Sequence, residues 1–378
     1  MRSLVVVGET PVPPTSGFRL RTLHLARQLA GAADVDVLAL GPVPNADGEP
    51  FRLIGVPHNR SRARALATSL TRPYLAAKVA SKKQAAIAHD SRYDTVQVES
   101  PFLVPAVAGV RAVVLDAHNL EHEVAASFLT AERRAVPRAR WRWEAAKTRR
   151  FESAVARAVD AVCVTNATEA RTFDAMGATR TLVVPNGVDT ASIAYGPPAA
   201  SAAMIYVGHF GYRPNAAAAI ELADEILPRV ARRVPTVRLT MVGREPGSEL
   251  LRRAAANVTV TGEVESVTPY LAASRVLVVP LRAGSGTRLK ILEAMAVGVP
   301  VVSTRLGAHG LDLTDGHELL LGETPDELAD QAVRVLTDDA LAARLSQSGR
   351  AAVERTFDWS IVARPLVALH AELAGSSG

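Results

Sequence analysis

Short apolar runs and longer stretches of helical spacing alternate along the whole chain. Leu4–Val7, Val35–Leu40, Thr95–Val98, Val113–Asp116, Ala161–Val164 and Leu182–Val184 are valine-rich runs. They have the length and composition of strands buried on both faces. Between them apolar residues recur at helical spacing, as in Arg19–Leu29 and Ala139–Ala158. Pro185-Asn186-Gly187-Val188-Asp189 and then Gly196-Pro197-Pro198 interrupt the alternation with turn chemistry. It restarts at Met204–Gly208 and continues through Val237–Val242, Val258–Thr261, Val276–Val279 and Val299–Ser303. Strand and helix in strict alternation predict an α/β protein with parallel sheets and crossover helices. The expected architecture is two doubly wound, Rossmann-like domains facing an interdomain cleft, at residues 1–187 and 203–356 with a linker at 188–202. No fixed-period repeat and no low-complexity tract is present.

In doubly wound sheets ligands lie beyond the carboxyl ends of the strands. Two loops fall on that side, Pro11–Gly17 and 284–290. The second is the more informative. Gly284-Ser285-Gly286-Thr287-Arg288-Leu289-Lys290 follows the strand Val276–Val279 and opens a helical segment. Glycines let a backbone approach an anion, and the free N–H groups of a first helical turn point at it. At 100° per residue, Gly286, Lys290 and Glu293 share one side of that helix, and Ile291, Leu292 and Met295 the other. The aliphatic stripe goes to the core. The lysine is left for a diphosphate and the glutamate for a ribose hydroxyl pair. The same residues also suit a plain capped surface helix with an i,i+3 ion pair.

With 378 residues, nearly half of them hydrophobic, two sizeable cores are possible. No apolar run approaches the ~20 residues of a membrane span. Leu4–Val7 is too short for a secretion signal. Cys163 is the single cysteine, so no internal disulfide forms, and a reducing cytoplasm is expected. The net charge of +5 is uneven. Arg133, Arg134, Arg138, Arg140, Arg142, Lys147, Arg149 and Arg150 face one acid, Glu144, with Trp141 and Trp143 among them. Such a segment suits peripheral contact with an anionic membrane, or simply a solvated face. Nucleic acid is disfavoured, because no base-stacking platform accompanies the charge.

In their order and spacing, several segments resemble the retaining glycosyltransferases of sequence family 4, which have the GT-B fold. They are Pro13–Arg19, Asp116-Ala117-His118-Asn119, Val184–Asp189, Tyr206-Val207-Gly208, Leu239–Gly243, Val260-Thr261-Gly262, and Gly284–Met295 with Gly298–Val302. The resemblance implies that a final helix, within residues 357–378, crosses back to the first domain. It implies a nucleotide-diphosphate sugar on the second domain. Glu293 would take the ribose, and Ser285, Gly286, Thr287, Arg288 and Lys290 the diphosphate. Val264, in the Gly262-Glu263-Val264 turn, would meet the base. Gly17 and Gly243 join the donor set, and His118 would meet the transferred sugar. Catalytic roles then fall to His118, Arg288 and Lys290. Glu99, Asp116 and His309 are candidates for the sugar or the acceptor.

Two departures from the family pattern stand out. Ser285 replaces the first glutamate of the family's E-x7-E motif, which removes a carboxylate expected at the sugar. His209 and Pro214 stand where the family often has Arg and Lys, so Arg213, Arg288 and Lys290 must supply the positive charge. The implied chemistry is sugar transfer with retention and a nucleoside diphosphate leaving group. No metal or other cofactor is required for it. The acceptor, a saccharide, a lipid-linked saccharide or a small molecule, is not specified.

Other readings fit parts of the chain. The same fold hosts sugar-nucleotide epimerases, and a non-catalytic sugar-nucleotide-binding protein would share the donor site. His118-Asn119-Leu120-Glu121-His122 spells H-x-x-E-H, a zinc-peptidase signature that needs both histidines on one helical face. Asp34-Val35-Asp36 spells D-x-D, but it begins an alternating strand and is expected to place its aspartates in solvent.

Overall fold

The computed structural model describes residues 1–57, 73, 86–131, 135–284 and 288–376, without the side chains of 127–131 and 135–137. The chain divides into two compact units, Met1–Asn186 with Val362–Gly378, and Gly187–Ile361.

The first unit is built on seven strands, β1 (Arg2–Val7), β2 (Asp34–Leu40), β3 (Arg52–Val56), β4 (Thr95–Val98), β5 (Val113–Ala117), β6 (Ala161–Val164) and β7 (Thr181–Val183). Their order is β3-β2-β1-β4-β5-β6-β7, with every pair parallel. The order reverses between β1 and β4, and there the carboxyl ends of the strands open a crevice. Around the sheet lie α1 (Gly17–Ala30), α2 (Glu121–Ala131), α3 (Ala135–Ala156) and α4 (Ala167–Met176). Ser16 caps α1 by accepting from the Arg19 N–H, and Asn166 caps α4 through Thr168 and Glu169.

The second unit repeats the plan with six strands, β8 (Ala203–Val207), β9 (Arg238–Val242), β10 (Val258–Val260), β11 (Val276–Val279), β12 (Val301–Ser303) and β13 (Leu320–Leu321). They are ordered β10-β9-β8-β11-β12-β13, again all parallel. The reversal lies between β8 and β11. The helices used below are α5 (Arg213–Glu221), α6 (Leu289–Val297), α7 (Pro325–Thr337) and α8 (Asp339–Ala352). Helix α6 buries Ile291, Leu292 and Met295, the stripe expected from the sequence. It ends in a Schellman motif: Val299 N–H bonds to Ala294 O, and Gly298 N–H to Met295 O, with Gly298 at φ 102.

The last helix, α9 (Arg364–Gly375), belongs to the first unit and buries Leu366, Leu369 and His370 there. The stretch expected to be a linker is instead packed on the second unit. Arg350 of α8 donates to the carbonyls of Thr190 and Ile193, and Gly196 N–H bonds to Val297 O. Carbonyls of this stretch find a half-buried cation, so it is held as part of a fold.

Two strands escaped the sequence pattern. β3 is an edge strand with a mostly open face, and β13 is only two residues long. The D-x-D expectation also fails in part. Asp34 is exposed, but Asp36 is buried, holding Arg52 at 2.6 and 2.8 Å and the Tyr93 hydroxyl at 2.6 Å. It pins the amino-terminal end of the sheet, opposite the ligand side.

Gly243 follows β9 with φ 150, and a Cβ there would run into the Gly208 carbonyl oxygen. Gly243→Ala should therefore destabilise the second unit by about 2 kcal/mol or more through overpacking and backbone strain. Hydrogen exchange should speed up in β8 and β9 while β1 and β5 stay protected.

Candidate functional site

At the reversal point of the second sheet, Tyr206 lies at the end of β8, fully buried, and its hydroxyl donates to Asn215 Oδ1 at 3.0 Å. Asn215, on α5, turns its amide to the His209 carbonyl at 3.1 Å. Its oxygen also receives Lys290 Nζ at 2.9 Å. Lys290 further reaches the Tyr206 hydroxyl at 3.1 Å and sits 4.3 Å from the centre of that ring, a cation–π arrangement. Thus β8, α5 and the first turn of α6 fix one ammonium group. Arg288, just before α6, is buried and donates to Gly284 O at 2.8 Å. Among the described residues no side chain caps α6; the Ile291 N–H bonds back to Arg288 O at 2.8 Å, and a first helical turn is where an anion would find N–H donors.

Glu293 is one turn further along α6. Among the described residues its carboxylate has no hydrogen-bond partner, and Lys290 is turned to Tyr206 and Asn215 instead. The simple surface ion pair is therefore not what this helix forms. Burial, and after it the Arg288 charge, pull the Lys290 ammonium down to about 7, with Glu293 opposing. Burial pushes the Glu293 carboxyl up to about 7, with Lys290 opposing. Burial also lowers Arg288 from its usual value. Each of these side chains would gain from a partner of opposite charge or a hydrogen-bonding ligand.

The other expected donor residues are distributed as follows. Arg213 opens α5 and is exposed. His209 pairs with Glu245 at 3.0 Å. Val264 packs its side chain on the core of the second unit, next to Gly262 at φ 75. Gly243 supports the β8–β9 contact described above. His309 is exposed on the loop after β12. Ser285, Gly286 and Thr287 lie outside the described residues.

In the first unit, α1, which follows β1, meets the carboxyl ends of β4 and β5 beside the corresponding reversal point. Phe18, Arg21 and Thr22 share one face of α1, and Gly17 is its first residue. Arg21 is buried and grips Asp116 at the end of β5 by two bonds, 2.8 and 2.6 Å. Its remaining nitrogen donates to Val184 O, Pro185 O and Asn186 Oδ1. Burial works against the Asp116 charge, but Arg21, and then His118, hold its carboxyl below the usual value. Glu99, just past β4, accepts from Thr22 Oγ1 at 2.8 Å and Gln97 Nε2 at 2.5 Å. His118 Nε2 lies 2.9 Å from Glu99 and 3.4 Å from Asp116, with its ring stacked 4.4 Å from Phe18.

This arrangement corrects the reading of Glu99 and Asp116 as sugar or acceptor ligands. Both are buried, 1% and 0% exposed, and their oxygens are already committed to protein donors. They stand behind His118, which keeps the more open position. Arg21, Thr22 and Gln97 were not singled out in the sequence. The only signal was polar residues on a helix face and a strand that otherwise read as core.

Glu99, Asp116 and His118 also form a group of metal-type donors whose atoms lie within 4.8 Å of one another. The cation lodged against this group is the Arg21 guanidinium. The zinc-peptidase pattern comes apart in space. His118 precedes α2 and turns to Glu99, whereas His122 Nδ1 turns to Glu152 at 2.6 Å. Glu152 also accepts from the backbone N–H groups of Glu121 and His122, so it caps α2. Burial and this carboxylate push Glu121 up to about 7.

Two family models match the chain, one described as Glycosyltransferase Family 4 over residues 16–192, the other as Glycosyl transferases group 1 over residues 201–338. A phosphatidyl-myo-inositol mannosyltransferase of Mycobacterium tuberculosis is 32% identical over 209 residues, covering 51% of this chain and 54% of the relative. A GDP-mannose-dependent alpha-(1-6)-phosphatidylinositol monomannoside mannosyltransferase of Mycolicibacterium smegmatis is 29% identical over 64% of this chain and 65% of its own length. The chain thus spans about half to two thirds of the curated relatives it matches. Among solved structures, sucrose-phosphate synthase from Thermosynechococcus elongatus superposes with a TM-score of 0.73 at 20% identity, covering 100% of both chains. HepE from Anabaena, in complex with UDP and glucose, gives 0.70 at 17% identity over 99% of both. Two parallel-sheet units of this type, matched in turn by the two family models, make the chain a member of the family 4 glycosyltransferases, with the GT-B fold.

Proposed function

We propose that this protein transfers a sugar, with its anomeric configuration retained, from a nucleoside-diphosphate donor to a lipid-linked or saccharide acceptor. One observation carries the reading. Lys290 and Arg288 stand at the start of α6, and Glu293 follows with no hydrogen-bond partner among the described residues. Two cations suit the diphosphate, whose negative charge grows as the sugar leaves, and a fixed site for that charge lowers the barrier. Glu293 suits the ribose hydroxyls. We assign His118 to the transferred sugar.

Retention through a covalent sugar would need a carboxylate at the anomeric carbon. Glu99 and Asp116 are sealed behind His118, which favours front-side transfer. There the departing phosphate oxygen takes the proton of the acceptor hydroxyl as the new glycosidic bond forms. The protein then positions the reactants and neutralises the leaving group, and its own cations make a metal dispensable. The mycobacterial relatives suggest GDP-mannose as donor and a phosphoinositide-type lipid as acceptor.

A lipid acceptor agrees with the surface of α3. Arg140, Arg142, Arg149 and Arg150 are exposed, and Trp143 is 56% exposed. Lys147 does not belong to this face, being buried against Glu144 at 2.6 Å. Arg133 and Arg134 lie outside the described residues. No helix among the described residues is long and apolar enough to cross a membrane, so the expected contact is peripheral.

A thermal-shift panel of sugar nucleotides tests the donor site. The cognate donor at 100 times its Kd should add about 2.7 kcal/mol of stability. Lys290→Ala and Glu293→Ala should each weaken it by about tenfold or more, as expected for lost charge-assisted bonds. Unchanged affinity in both variants would remove the donor site from α6. NMR of the product anomer reads retention, and activity in excess chelator reads metal independence.

Donor affinity should also peak near pH 7. The diphosphate favours protonated Lys290, so affinity falls as pH rises above about 7. Ribose hydroxyls favour ionised Glu293, so affinity falls as pH drops below about 7. Calorimetry across pH should show the alkaline limb vanish in Lys290→Ala and the acidic limb in Glu293→Gln. Co-sedimentation with anionic liposomes, weakening as salt rises, checks the membrane contact. Its absence at low salt would reduce α3 to a solvated face.

A further inference from the structure

The strand β4 is anomalous for a central parallel strand. Val96 and Val98 point to one side, but Thr95, Gln97 and Glu99 occupy the other side at spacing two. All three are essentially buried. The element that meets this polar face is α9, which brings His370, fully buried, against it. His370 Nδ1 lies 2.7 Å from Thr95 Oγ1, and Nε2 lies 2.9 Å from Gln97 Oε1. Gln97 Nε2 then meets Glu99 Oε1 at 2.5 Å, and Glu99 Oε2 meets His118 Nε2 at 2.9 Å. Ser3 Oγ closes the far end, 2.8 Å from Thr95 Oγ1.

The hydrogens in this chain have one consistent assignment. The Glu99 carboxylate accepts, so the Gln97 amide must turn its NH2 to Glu99 and its oxygen to His370. His370 Nε2 must therefore carry a hydrogen. Burial holds this imidazole neutral, pulling it down to about 4, so Nδ1 is bare and accepts from the Thr95 hydroxyl. At the other end Glu99 requires a hydrogen on His118 Nε2. That leaves His118 Nδ1 as the ring nitrogen with no protein partner among the described residues.

We propose that His370 is a positioning residue which, through Gln97 and Glu99, holds His118 in the Nε2–H tautomer and in one ring orientation. This rests on the assignment of His118 to the transferred sugar. An apolar β4–α9 contact would pack as well without a line of buried polar groups. Such a network persists at a desolvation cost, and here its directionality ends on a partly open imidazole. The same logic governs outer partners of metal-bound histidines, which fix tautomer and orientation and whose loss typically costs 10–100-fold in function.

The test uses full-length protein labelled with 15N-histidine, with His118 assigned by the resonance lost in His118→Ala. Wild type should show a single His118 species with the hydrogen on Nε2. His370→Leu should show the Nδ1–H form appearing or the signals broadening. Turnover of the sugar nucleotide should fall about tenfold with donor KM unchanged. His370→Gln, whose amide can donate to Gln97 and accept from Thr95, should restore both readouts. If His370→Leu does not fold, Gln97→Met, which interrupts the line one step nearer at similar volume, is read in the same way. An unchanged His118 tautomer together with unchanged turnover, in whichever of the two interrupted variants folds, overturns the proposal. Should His118→Ala leave turnover intact, the assignment of His118 to the sugar fails instead, and the tautomer signal still decides the role of His370.

Discussion

The first unit turns on one guanidinium. Arg21 is buried and its donors meet Asp116 by two bonds and the segment Val184–Asn186 by three contacts. That ties α1 to β5 and to the chain as it leaves the unit. A buried carboxylate pair, Asp116 and Glu99, would be untenable beside a single imidazole. Arg21 neutralises one of them, and the other is then free to hold His118. An ion pair like this contributes little net stability compared with apolar packing, but loss of one partner strands the other. Its value lies in the arrangement it imposes.

The second unit solves a related problem differently. Its cations bond to neutral groups, Lys290 to Tyr206 and Asn215, and Arg288 to the Gly284 carbonyl. Lys290 is fixed by these neutral groups rather than by a hydrogen-bonded carboxylate. Under the proposed function, that arrangement suits a site which binds and later releases a diphosphate. A preformed ion pair would have to be broken at each binding event.

Much of the fold was legible in the chain. Valine runs buried on both faces identify parallel strands, and the stripe of Ile291, Leu292 and Met295 identifies α6. Legibility failed where burial was one-sided or where polar residues were buried. β3 is an edge strand, β13 is too short to have a period, and Asp36 read as solvent-facing because its partners Arg52 and Tyr93 are distant in sequence. The H-x-x-E-H pattern shows how little adjacency in sequence says about a shared face. The pattern needs both histidines on one helical face, but it follows the strand closely, as a loop would: β5 ends at Ala117, and His118 lies before the helix that begins at Glu121 and carries His122.

Local sequence determined the alternation of strand and helix, the two-sheet plan and the position of Lys290 and Glu293 on one side of α6. These follow from periodicity, which depends only on neighbours a few residues away. Tertiary structure decided which polar groups meet. Arg21 finds Asp116 across 95 residues, His370 reaches Thr95 across 275, and residues 187–202 dock on the second unit rather than hang between domains. Such contacts are set by how sheets and helices pack, and a buried polar group announces its partner only when the packing brings the two together.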